Sequence, residues 1–169
     1  SSTAYTVVHG ILHTKKTPEL SYLVQEDTAI ACSKILSYSK EGRKRLSELE
    51  SPFKKNLLPF LEWLLMPGIT LNYVLRKKYI EEKVLTAIKD GVTQIINIGA
   101  GFDTLAWQLS LQFSDVTFIE IDHPATSHEK YKAIKSTDTT AQNLHFISAD
   151  LSEVSLEKTL GEYKAFDNK

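Results

Sequence analysis

The feature that most constrains the fold is an alternation that begins after Gly91. Thr93 to Ile98 is a short, β-branched run bounded by glycine on both sides, and it reads as a buried strand. Asp103 to Leu111 reads as a helix, Val116 to Ile121 as a second strand, and Pro124 to Lys135 as a second helix with proline in its first turn. Leu144 to Ser148 is a third strand, and Ser152 to Leu160 a third helix. Strands joined by helices at this spacing cannot be hairpin partners. They imply an open, parallel α/β sheet.

The region before the alternation reads as helical. Leu23, Ala29, Ile30, Cys32, Ile35 and Leu36 form an apolar stripe within Tyr22–Leu49. A helix end is expected near Ser37–Gly42, followed by the basic stretch Arg43-Lys44-Arg45, which is read as a solvated face because Glu48 and Glu50 follow it. Leu57 to Met66, with Trp63, is densely apolar and is expected to form a buried or lid-forming helix. After Pro67-Gly68, an amphipathic helix is expected over Thr70–Lys89, with Leu71, Val74, Leu75, Ile80, Val84, Leu85 and Ile88 facing inward and Asp90-Gly91 ending it. The first 20 or so residues show no clean period and are read as a frayed terminal segment. His9 and His13 stand four apart, but no third ligand follows at a useful spacing, so no metal site is expected.

Composition excludes some classes. A formal net charge of −1 over 169 residues gives no bulk attraction for nucleic acid or an anionic membrane surface. No run approaches the ~20 apolar residues of a membrane span, and the N-terminus lacks a signal-peptide pattern. The one cysteine, Cys32, is expected to be a buried structural thiol in a reducing, cytoplasmic setting.

In an open parallel sheet, ligands bind beyond the carboxyl ends of the strands, and all three ends carry suitable residues. The first strand runs into Gly99-Ala100-Gly101, a turn that lets a ligand approach the backbone. Position six of a dinucleotide-type G-x-G-x-x-G would be Thr104 instead of Gly or Ala, and Asp103 puts a carboxylate where a pyrophosphate would lie. Both favour a ligand without phosphates. Asp122, 23 residues after Gly99, can accept both hydroxyls of a ribose, or else be a loop acid or helix cap. Glu120 shares its strand face, and His123 is read as a loop residue. Asp150 can accept from an adenine amino group with Leu151 packed on the ring, or cap the next helix.

The stretches Pro67–Arg76, Ile98–Thr104, Phe118–Pro124 and Ser148–Leu151 resemble the leucine carboxyl methyltransferase family, over roughly Thr28 to Leu160. The resemblance implies a Rossmann-like class I methyltransferase sheet preceded by an N-terminal helical region, with S-adenosyl-L-methionine as cofactor. It implies that Arg76 binds the cofactor carboxylate, Gly99 and Gly101 pass its methionine part, Asp122 holds the ribose, and Asp150 with Leu151 holds the adenine. It places a helical lid or substrate region in residues 1–66 and the first half of the cofactor domain in 67–169, because family members carry further strands. A sheet that stopped here would leave an apolar edge unpaired, so a removed remainder or self-pairing is expected.

The implied reaction is methyl transfer to a carboxylate oxygen, on a protein C-terminus or a small acid. A carboxylate is ionised near neutral pH and needs no general base, so no catalytic residue is assigned. The sequence also admits two rivals: a nicotinamide-dependent oxidoreductase, and a non-catalytic interaction module on a shortened methyltransferase fold.

Overall fold

The computed structural model describes residues 2–51 and 68–166. The expected helix over Leu57–Met66 therefore lies outside the described residues. The chain divides into two compact units, Ser2–Glu82 and the part from Lys83 onward.

The first unit is helical. It comprises α1 (Ser2–Lys16), a 3-10 turn (Ser21–Leu23), α2 (Glu26–Tyr38), α3 (Lys40–Glu50) and α4 (Ile69–Lys89) up to Glu82. Its core is Val8, Ile11, Leu12, Cys32, Ile35, Leu36 and Leu49, all at most 5% exposed. Cys32 is a buried free thiol, as expected. The helix end expected near Ser37–Gly42 falls at Ser39, whose extended backbone separates α2 from α3 and whose hydroxyl accepts from Gly42 N–H to cap α3.

The N-terminal segment is corrected from frayed to helical: α1 runs for 15 residues and buries seven. Two of those seven, His9 and Thr14, are polar, which breaks the apolar stripe in the sequence. Thr14 satisfies its hydroxyl by donating to Gly10 O at 3.0 Å. The amphipathic reading of α4 needs a second correction. Val74 is buried, but Leu75 and Ile80 are 47% and 45% exposed.

The second unit holds the sheet: β1 (Gln94–Ile98), β2 (Thr117–Asp122) and β3 (Leu144–Ser148), all parallel, in the order β1-β2-β3. Helices α5 (Leu105–Gln112), α6 (Pro124–Lys135) and α7 (Leu156–Gly161) follow the strands. The α/β reading of the sequence holds, with strand ends moved by a residue at most. The last helix starts later than expected, at Leu156, where Ser155 caps it by accepting from Lys158 N–H. Strand β2 is central and dry: Phe118, Ile119 and Ile121 are fully buried. Its odd-numbered face joins Ile147, Ala149 and the α7 residue Leu160 in one cluster, and its even-numbered face lies under α6. No helix among the described residues is long and apolar enough to cross a membrane.

Candidate cofactor site at the strand ends

Parallel pairing sets the three carboxyl ends side by side. In register, Ile98 is opposite Ile121 and Asp122 is opposite Ser148. The loops that carry the expected site residues therefore leave the sheet together.

The turn after β1 needs its glycines. Gly99 and Gly101 adopt φ of +68° and +52°, a region that costs other residues roughly 1 kcal/mol or more. Gly99 N–H and Ala100 N–H both donate to Ile121 O, at 2.8 and 3.2 Å, which folds the turn back over β2. A Cβ built on Gly99 would meet nothing within 4 Å. The positive φ, not crowding, therefore requires glycine, and the space before the turn is open. Phe102, 2% exposed, anchors the turn from below.

Asp122 ties this turn to the second strand. Its Oδ2 accepts from Gly101 N–H at 2.6 Å and its Oδ1 from His123 N–H at 2.7 Å. Each carboxylate oxygen has a second acceptor site, so two further donors such as a diol can be received. The capping role left open for Asp122 goes instead to His123, whose Nδ1 accepts from Ala125 N–H at the start of α6. That arrangement leaves the proton of a neutral His123 on Nε2, which lies 3.7 Å from Asp150 Oδ2. The loops after β2 and β3 are thereby linked, a contact that reading His123 as a plain loop residue missed.

Asp150 does not cap the next helix either. Its Oδ1 accepts from Ser152 Oγ at 2.7 Å and from Ser152 N–H at 3.0 Å. The Ser152 hydroxyl, then its amide, then His123 hold this carboxyl below the usual carboxylate range. Asp150 is thus an acceptor at neutral pH. Beside it lies an open recess of about 430 Å³, with Ile147, Ala149, Val154 and Tyr163 in its walls. Leu151 is 38% exposed and stands outside those walls.

The N-terminus of α5 is already served by an anion. Asp103 Oδ1 accepts from Thr104 N–H at 2.9 Å, and the fully buried Thr104 donates its hydroxyl to Gln108 Oε1. A phosphate would compete with Asp103 for this terminus. Glu120 is not open to a ligand: it is 2% exposed and paired with Lys130 Nζ at 2.6 Å. The signal for Lys130 was present in α6, where Thr126, Ser127, Lys130, Ala133 and Ile134 recur at the spacing of one helix face and are all buried.

Gly99, Gly101, Asp122 and Asp150 are thus brought together at one end of the sheet. Arg76 belongs to the helical unit, where it is exposed on α4 with its guanidinium 5.7 Å from the Tyr73 ring centroid. Among the described residues there is no cluster of three or more His, Cys, Asp or Glu able to hold a metal ion.

A sequence model of the family described as Leucine carboxyl methyltransferase matches residues 23–169. A Caenorhabditis briggsae protein named "Probable leucine carboxyl methyltransferase 1" is 34% identical over 118 residues, covering 56% of this chain and 36% of the relative. A Bacillus subtilis protein named "Putative S-adenosyl-L-methionine-dependent methyltransferase YktD" is 27% identical over 137 residues, covering 78% and 43%. A Candida albicans protein named "tRNA wybutosine-synthesizing protein 4" is 34% identical over 83 residues, covering 45% and 12%. The chain thus spans less than half the length of these curated relatives. With the family model covering most of the chain, the protein belongs to the leucine carboxyl methyltransferase family.

Proposed function

We propose that the sheet unit binds S-adenosyl-L-methionine across its strand ends, as part of a methyltransferase acting on a carboxylate oxygen. The observation that carries this reading is the pair of hydrogen bonds that Asp122 accepts. One carboxylate is held against the glycine turn and the start of α6 at once, while keeping acceptor capacity for a ribose diol.

Gly99 and Gly101 would let the methionine part pass along the turn, and Asp150 would accept from the adenine amino group with the adjoining recess around the ring. Arg76, with its forked guanidinium, would receive the cofactor carboxylate. Residues 1–66 would form the lid or substrate region. Bound cofactor supplies an electrophilic methyl on a sulfonium, and the protein's part is to orient the pair and exclude water. The names of the relatives favour an acid acceptor, either a protein C-terminus or a smaller carboxylate.

Calorimetric titration with S-adenosylhomocysteine and, separately, NADH tests the cofactor reading. Saturable binding of the first and none of the second is expected. Binding of NADH alone would overturn it.

A further inference from the structure

Lys130 and Glu120 form a fully buried ion pair, 2.6 Å apart, with side chains 1% and 2% exposed. Such a pair is weak support for a fold. Desolvating both ions costs about as much as their attraction returns, and apolar residues of similar volume often serve as well. Its location is more telling than its energy. Glu120 lies two residues before Asp122 on the same face of β2, and Lys130 lies on the helix that starts directly after Asp122 and His123.

A second polar contact reaches from the same helix face to the other acid-bearing strand. Ser148 Oγ donates to Ser127 Oγ at 3.1 Å, with Ser127 only 3% exposed. Ser148 stands two residues before Asp150 and opposite Asp122 in the strand register. Helix α6 therefore touches β2 and β3 just below each of the two carboxylates. Apolar packing is non-directional, whereas a buried ion pair and a hydroxyl–hydroxyl hydrogen bond each tie one point of the helix to one point of the sheet.

We propose that the Lys130–Glu120 pair, together with the Ser127–Ser148 contact, is a positioning bracket that fixes the first turns of α6 over β2 and β3 so that Asp122 and Asp150 face one bound nucleoside. A shift of α6 would drag the adjoining His123 and Asp122 with it and so loosen the carboxylate that holds Gly101. The inference rests on reading Asp122 and Asp150 as nucleoside ligands.

The test compares E120L/K130M with wild type by thermal melting, calorimetric titration with S-adenosylhomocysteine, and hydrogen exchange at the Gly101 amide. The apolar pair is expected to melt near wild type, to bind about tenfold more weakly, and to exchange Gly101 faster. Wild-type affinity and Gly101 protection in that variant would overturn the proposal, leaving the pair as core filling. If the variant fails to fold, E120Q/K130M is read in the same way. Ser127→Ala, which deletes one hydroxyl, supplies an independent arm: roughly threefold weaker binding is expected, and unchanged affinity overturns the bracket. Absence of binding by wild type would instead sink the cofactor reading, and the proposal with it.

Discussion

Replacing Asp122 with Asn removes one charge and changes little volume, yet the structure gives it a large effect. The carboxylate accepts from two backbone amides, Gly101 at 2.6 Å and His123 at 2.7 Å. An Asn can accept one of these with its oxygen, but its NH2 then faces the other amide, donor against donor. Charge-assisted bonds of this length contribute roughly 1.5–3 kcal/mol each when dry. Asp122 is half-buried, so water recovers part of this, and about 2 kcal/mol for the pair is a reasonable expectation. In a unit of this size each kcal/mol shifts melting by roughly 4–8 °C, so a drop of about 8–16 °C follows. Asp122→Ala should fall by a similar amount, making Asn no rescue. The assay is a thermal melt of wild type and both variants, with amide exchange at Gly101 as the local readout. An Asn variant melting within about 2 °C of wild type, with Gly101 still protected, would refute the view that this carboxylate holds the glycine turn.

Other consequences follow from the packing. Burial, then the Arg45 and His13 charges, depress the His9 pKa against an opposing pull from Glu48. Folded His9 therefore stays neutral where the unfolded chain takes up a proton. Its contribution is complete above pH ~6.5 and is lost as pH falls through the lower folded value. Melting temperature should drop between pH 7 and 5, and a slope left unchanged in His9→Leu would contradict this. The two glycines Gly42 and Gly99 should respond differently to alanine. At Gly42 the new Cβ would sit 2.0 Å from Leu36 O, so a loss of roughly 3 kcal/mol or more is expected. At Gly99 only the φ of +68° is strained, for about 1 kcal/mol. Equal denaturant midpoints for the two variants would show that the close approach at Gly42 is relieved elsewhere.

Much of the sheet unit was legible because its signals are local. Pro124 opens α6 at the expected residue, and the β-branched runs place all three strands. That Gly99, Gly101, Asp122 and Asp150 lie at one end of the sheet follows from parallel pairing of the three strands. What stayed hidden depends on contacts between distant residues. Nothing near Asp122 announces that it accepts from Gly101, 21 residues earlier, and Lys130 resembles any surface lysine until its place on the inner face of α6 is counted. In α1 the fault lay in the pattern itself, since buried His9 and Thr14 interrupt the stripe that would have revealed the helix. Along α4 the reverse held: a regular stripe predicted burial that only Val74 achieves.

If the strand ends of the sheet unit form one nucleoside site, backbone amide shifts in the 15N-labelled chain will map it during titration with S-adenosylhomocysteine. The largest saturable changes are expected on Gly99 to Phe102, on Asp122 and His123, and on Ala149 to Ser152, with little change at the opposite ends of the strands near Gln94 and Thr117. Changes confined to other parts of the sheet unit, or no change at Gly101 and His123 under saturating ligand, would contradict it.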